Sequence, residues 1–492
     1  MTTEAAGGTT TEAADEEGPA NVAHPYMASA LADQQDEMLD VVGAKSIDEL
    51  FEQIPDRHRL ARPLRLPRQL ASEAALRRHL LDLLGRTTTC EEALSFLGAG
   101  CYRHHVPAIC DDITARQEWL TSVWGTPSSD QGRFQAWFEY ASQLGDLLEL
   151  DFVGLPVYSW GCAAGHAIRM AARMTGRRRV LVPEILDPER RAVIANYCGS
   201  PELAHHLSVT TVAYRRQDGR LDLDDLAGKL SGDVAAVYVE NPNFLGIVED
   251  ELDEIASMAG RAGAEAIAGV DPLSLGVLAP PGQLGIGLAV GTIQTLGVHL
   301  NAGGGAGGFI ASRDEERYAR EYPTLQVSIC GTTEVGERGF GISLFEQTSY
   351  GAREQGNDWT GNSVYMWAIA NAVFMAAMGP TGFTEVGKAI LQRGHHAANR
   401  LSEVPGVRVR FPSGFFREIV VDFGASGRSV AAVNEALLAR GIFGGLDLSG
   451  DFPELGQAAL YCVTELHTAS DIDRLVAALT EIVGDASPGA AR

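Results

Sequence analysis

The sequence is short of lysine, of paired cysteines, of long hydrophobic runs and of positive charge, and each shortage closes off a class of function. Its 492 residues hold only three lysines, Lys45, Lys229 and Lys388, so amine catalysis has three places to sit. None falls at a strand end or in a glycine turn. Lys45 lies in an N-terminal amphipathic stretch, Lys229 near the end of LDLDDLAGKL, and Lys388 in the helical pattern TEVGKAILQRGHHAANRL. Seven cysteines (90, 101, 110, 162, 198, 330, 462) are odd in number, widely spaced and without a C-x-x-C pair. That fits reduced thiols in a cytoplasmic protein and neither a disulfide framework nor a zinc site. No apolar run reaches the ~18 residues a membrane span needs. A net charge of −25 leaves little cation density for releasing counterions, which argues against nucleic acid or an anionic membrane as partner. The opening MTTEAAGGTTTEAADEEGPAN has neither a basic stretch nor a hydrophobic centre, so it is expected to be no secretory signal and to stay disordered.

What is present reads as an α/β protein, with 45% apolar and 7% aromatic residues and length enough for two or three domains. We expect an acidic tail over 1–24, an N-terminal helical arm with a Gly-aromatic loop over 25–130, a large α/β domain over 131–378, a small α+β domain over 379–485, and a frayed end over 486–492. In the arm, SIDE places Ser46 as a helix N-cap with Glu49 three residues on, a capping-box pattern. QGRFQAWFEYASQLGDLLEL (131–150) repeats apolar residues at helical spacing. Short apolar runs then alternate with helices: VLVP (180–183), VTTVAY (209–214), AAVYVE (235–240) and AIAGV (266–270). That alternation predicts a doubly wound, mostly parallel sheet covered on both faces.

The chain is organised around Leu288–Ser312, LAVGTIQTLGVHLNAGGGAGGFIAS, which reads as strand, turn, glycine run and strand. Glycines at this density let a backbone approach a ligand or a neighbouring subunit closely. The arrangement resembles the segment of pyridoxal-phosphate (PLP) enzymes of the aspartate-aminotransferase fold that carries the Schiff-base lysine. Gln294 stands at that position, and an amide is no nucleophile. Asp271, in GVDPLSLG, follows an apolar strand where PLP enzymes of this fold keep the partner of the pyridinium nitrogen; an Asp before a Pro is equally a turn former. Small residues from Ser159 to His166, including Cys162 and Ala163, open a helix whose N-terminus suits a phosphate or, alternatively, tight packing. The doublets His104-His105, His205-His206 and His395-His396 lack carboxylate or Cys at ligand spacing, so no metal site is expected. His104 and His105 belong to a Gly-aromatic loop, FLGAGCYRHHVPAI (96–109), of a kind that commonly lines a site or an interface.

Six stretches in order, SIDELFEQIP, FLGAGCYRHHVPAI, YVENPNFLGIVED, DPLSLGVLAPPG, SGFFREIVV and VNEALLARGIFGGLDL…YCVTELHTASDIDRL, resemble subunit 1 (the α subunit) of the two-subunit glycine decarboxylase, the P-protein of the glycine cleavage system. The likeness covers about Pro25 to Val483. It implies PLP fold type I, with no catalytic residue in this chain and PLP bound on a homologous subunit 2 in an α2β2 assembly. PLP would act there as electron sink while CO2 leaves glycine, and the aminomethyl group would pass to the lipoyl H-protein. It also places Gly98, Gly100, Tyr102, His104 and Pro107 on an active-site interface loop, and Cys162, Ala163, His166, Asp271 and Gln294 at vestigial or partner-facing cofactor positions. Two segments depart from the family pattern: Gly161–His166 replaces Y-D-G-A-T-A, and Ala352–Trp359 replaces R-R-E-K-A-T-S-N. A paralogue acting on another amino acid or acceptor, and a non-catalytic scaffold for a PLP partner, are the competing expectations.

Overall fold

The computed structural model describes residues 31–484 apart from 61, 63, 68–69, 71, 120–126, 302–305, 344–351, 357 and 361–363. Part of the glycine run and the expectations for both tails therefore lie outside the described residues. The chain divides into two compact units, one ending at Thr87 and one beginning at Thr88.

In the first unit, helix α1 (Ala32–Val42) ends at Gly43, whose φ of 76° turns the chain into the left-handed region. The capping pattern takes a slightly shifted form. Ser46 Oγ accepts from Glu49 N at 3.3 Å, while the Glu49 carboxylate accepts from Lys45 N at 2.6 Å, one residue earlier than the box requires. Helix α2 (Glu73–Leu84) is capped by Ser72, which accepts from Ala75 N. No described residue of this unit is buried, and Val41, Phe51, Leu64, Leu66 and Leu84 are exposed.

The second unit is built on a seven-stranded sheet. Its strands are β1 (Phe152–Val153), β2 (Arg179–Pro183), β3 (Ser208–Val212), β4 (Val234–Asn241), β5 (Glu265–Val270), β6 (Leu288–Thr292) and β7 (Gly308–Ser312). Their order is β1-β7-β6-β5-β4-β2-β3, with β6 to β3 parallel and β7 antiparallel to both its neighbours. The expected doubly wound, mostly parallel sheet is thus present. Two-residue periodicity assigns its faces. Leu181, Val237, Val239 and Ala268 pack with Trp137, Tyr140, Leu144 and Leu148 of helix α4 (Pro127–Leu148). Val180, Val182, Ala236 and Ile267 pack with Ala163, Ala167, Ile168 and Ala171 of helix α5 (Trp160–Thr175). Burial on both faces explains why these strands are continuously apolar.

Strand β2 has β3 on one side and β4 on the other, so the chain reverses direction across the sheet there. Such a point opens a crevice at the carboxyl ends of the strands. A second cluster forms around a four-stranded antiparallel sheet containing β8 (Glu418–Asp422) and β9 (Ala458–Cys462). The segment before it is a long helix, Tyr365–Ser402, broken at Gly379 (φ 56°, ψ 179°) just ahead of Pro380. Leu94–Ser95 pairs in parallel with Ile442–Phe443 in a separate two-stranded sheet, from which the 96–107 loop sets out across the crevice. Among the described residues no helix is long and apolar enough to cross a membrane.

Candidate functional site

Three strand ends deliver polar side chains to the crevice: Glu240 from β4, Asp271 just past β5, and Gln294 just past β6. All three are buried. An unpaired carboxylate at such depth would be costly, and both Glu240 and Asp271 have a guanidinium. Arg190, in helix α6 (Pro188–Cys198), forks onto Glu240 at 2.8 and 3.1 Å and reaches Asp187 at 3.1 Å. Its guanidinium carbon lies 4.1 Å from the Trp160 ring centroid. Arg417, just before β8, pairs with Asp271 and lies 4.2 Å from the Tyr102 ring centroid.

The 96–107 loop crosses both arginines, and its glycines make that approach possible. A Cβ on Gly98 would come within 2.5 Å of Cys462 Cβ and 2.8 Å of Glu418 Oε1. At Gly100 φ is 97°, and a Cβ would meet Arg190 Nη1 at 2.8 Å. Tyr102 is fixed at both ends of its residue. Its phenol donates to Glu418 Oε2 at 3.2 Å, and its peptide pairs with Gln294. Gln294 Oε1 accepts from Tyr102 N at 3.0 Å, while Gln294 Nε2 donates to Tyr102 O at 2.8 Å and to Val298 O at 3.2 Å. Gln294 behaves as one rung of a β-ladder made by a side chain.

His104 joins the loop to the small sheet. Its Nε2 lies 2.6 Å from Arg417 Nη1 and its Nδ1 lies 2.7 Å from Glu465 Oε2. A guanidinium only donates, so Nε2 accepts and Nδ1 carries the proton toward Glu465. Burial would raise the Glu465 carboxyl, but hydrogen bonds from His104 and from the His105 amide hold it down at about 2. Glu418 goes the other way. Burial pushes it up to about 7, against the pull of the Ala99 amide, Arg417 and the Tyr102 phenol. Pro107 is the N-cap of helix α3 (Ala108–Thr114) and ends the loop.

Gly98, Gly100, Tyr102, His104, Asp271 and Gln294 therefore come together. Cys162, Ala163 and His166 do not join their hydrogen-bond network. Ala163 is core packing, and Cys162 N serves the Ser159 cap at 3.2 Å. His166 sits between Thr360 Oγ1 (3.0 Å) and Tyr197 OH (3.2 Å), and burial lowers its pKa to about 4. The remaining histidine doublets stay clear of the crevice: His206 bonds the Gly199 carbonyl and His395 packs on Phe415. Among the described residues no cluster of His, Cys, Asp or Glu is arranged to hold a metal. Sequence reasoning missed Arg190, Glu240, Arg417, Glu418 and Glu465. The stretches SGFFREIVV and YVENPN had been marked, but their charged residues carried no signal of the partners they meet.

The two lysines of the second unit, Lys229 and Lys388, do not line the crevice. Lys45 and Lys388 are exposed, and Lys229 donates to Asp225 and to the Thr211 carbonyl. Beside Asp271 the void is about 10 Å³, bounded by Tyr102, Trp160, Arg190, Phe244 and Arg417. A larger cleft of about 120 Å³ opens outward between Gly100, Ser159, Gly161, Thr292 and Gly307.

Residues 25–479 match the family described as glycine cleavage system P-protein. The chain is 37% identical over 459 residues to the probable glycine dehydrogenase (decarboxylating) subunit 1 of Moorella thermoacetica, covering 93% of this chain and 99% of that one. It is 34% identical over 472 residues to the protein of the same description from Staphylothermus marinus, covering 94% and 99%. Among solved structures it is similar to an inhibitor-bound glycine decarboxylase (P-protein) of the glycine cleavage system, with TM-score 0.83, 34% identity, and 93% and 99% coverage. The Burkholderia pseudomallei sphingosine-1-phosphate lyase aligns with TM-score 0.64 at 16% identity over 88% of this chain and 95% of that one, a likeness of fold alone. The fold is PLP fold type I, as the sequence led us to expect.

Proposed function

The chain belongs to the glycine cleavage system P-protein family, and from that premise we propose that it is subunit 1 of a two-subunit glycine decarboxylase whose PLP and Schiff-base lysine reside on a homologous partner. The observation that carries the reading is the state of its own crevice. Gln294, at the lysine position, spends its whole amide on Tyr102 and Val298, and Asp271 is already paired with Arg417. The residues do not fit PLP in this chain. No amine is at hand, the acid is taken, and Arg417 with the Tyr102 ring against it fills the place beside that acid. On the partner, PLP supplies the electron sink for loss of CO2 from glycine.

This chain's part is positioning. Its first unit exposes Val41, Leu64, Leu66 and Leu84 in a pattern suited to a protein interface, and the homologous subunit is the occupant we assign to it. The 96–107 loop, rigid on its own crevice, is the element we assign to the mouth of the partner's site. An α2β2 assembly and aminomethyl transfer to a lipoyl H-protein complete this reading.

A second reading, a paralogue with another amino acid or acceptor, is favoured by one observation. The two segments that depart from the family pattern lie side by side: His166 bonds Thr360, the residue just past the second, and Asp358 of the second pairs with Arg169 and Arg173 of the helix that the first opens.

The test is co-purification with the partner, followed by CO2 release across amino acids with and without lipoyl H-protein. Glycine with H-protein supports the first reading and another pair the second. Borohydride should fix no PLP on Lys45, Lys229 or Lys388 of the isolated chain. A fixed adduct needed for activity, or a fully active monomer, overturns the assignment.

A further inference from the structure

We infer that the Arg417 guanidinium is the built-in occupant of this chain's own ligand crevice, a planar cation seated on Asp271 where a cationic ring would sit, and that it helps set the position of the 96–107 loop. A protonated heteroaromatic ring in such a seat needs a carboxylate at its edge and a flat group against its face. Arg417 has both, Asp271 at its edge and Tyr102 at its face with 4.2 Å to the ring centroid. The side chain is buried, and the space left beside it is about 10 Å³. A lysine could supply the charge but not the plane, because an ammonium is a compact point charge without a forked, stackable face.

The loop takes part of its position from this occupant, beside the bonds it makes to Gln294 and Glu465. Tyr102 packs on the guanidinium and His104 accepts from it at 2.6 Å. Ala99 N donates to the adjacent Glu418 at 2.6 Å. Two of these three anchors therefore fall on Arg417 and the third on its chain neighbour. An ordinary buried ion pair would serve only to neutralise Asp271 and would accept any small cation. A seat discriminates by shape.

Shape selectivity gives the test, which needs no catalytic activity. Full-length chain in complex with its partner is compared as wild type, Arg417→Ala and Arg417→Lys. Amide hydrogen exchange is followed in the peptide covering residues 96–107, with β4 as internal control. Loss of a buried cation–π contact and a charged hydrogen bond should speed loop exchange by about tenfold or more in both variants while β4 is unchanged. Low-millimolar guanidinium should return the Arg417→Ala loop toward wild type, and methylammonium at equal concentration should not. Unchanged loop exchange, equal rescue by the two cations, or no rescue by guanidinium each overturns the inference. Should Arg417→Ala fail to assemble, Arg417→Lys decides: wild-type loop exchange in that variant overturns it too. None of these outcomes depends on which substrate the assembly uses, so they are separable from the decarboxylase reading.

Discussion

Replacing Glu418 by Gln should make the protein progressively more stable relative to wild type as pH rises. Glu418 is buried, accepts hydrogen bonds from Ala99 and Tyr102, and has a carboxyl raised by burial to about 7 from an ordinary value of 4.5. Between those two values the folded chain holds a proton that the unfolded chain has lost. Stability then falls with rising pH, because the slope has the sign of protons bound unfolded minus folded. The cost of ionising a buried group follows from the two pKa values. It grows by roughly 2–3 kcal/mol between pH 5 and pH 8. Gln keeps the shape and one acceptor oxygen and does not titrate. The stability of Glu418→Gln minus wild type should therefore rise by roughly 2–3 kcal/mol across that interval in urea unfolding. Glu249, also raised to about 7 by burial, is common to both proteins and cancels. A difference that stays flat from pH 5 to pH 8, or that falls, would refute the argument.

Three further outcomes follow from the same geometry. Gly100→Ala forces a side chain into φ 97° and against Arg190 Nη1, and urea midpoints should register a loss of about 1–3 kcal/mol. Arg190→Met leaves Glu240 buried without its counter-charge at a cost of about 3–5 kcal/mol, and adding Glu240→Gln should recover part of that loss, measured as a double-mutant cycle. Deleting residues 1–20 should leave the complex with the partner intact in sedimentation, whereas deleting residues 25–60 should weaken it; equal behaviour of the two would remove the interface role of the first unit.

Much of the scaffold was legible in the sequence because periodicity and burial act locally. VLVP, AAVYVE and AIAGV became β2, β4 and β5. Asp271 and Gln294 could be singled out because each follows such a run. Arg417 could not, since nothing near it in sequence marks it as buried and its carboxylate lies in a strand end far away in the chain. The same holds for Tyr102 and Glu418, 316 residues apart, and for His104 and Glu465, 361 apart. Tertiary pairing of charges leaves no period. The resemblance places Tyr102 and His104 on an active-site interface loop; in the folded chain they meet Glu418, Arg417 and Glu465.

The Gln294 rung also bears on history. A chain that once carried lysine at this position could exchange it for glutamine and gain a new fastening for the loop in one step. Going back is not symmetrical. An ammonium at 294 accepts nothing from Tyr102 N and enters a crevice that already holds two guanidinium groups, so the first step of a reversal unfastens the loop before any catalytic benefit exists. Intermediates on that route would be at once less stable and no more active. Such a residue works as a ratchet: once the amide has taken hold, the fastened loop is easier to keep than to undo.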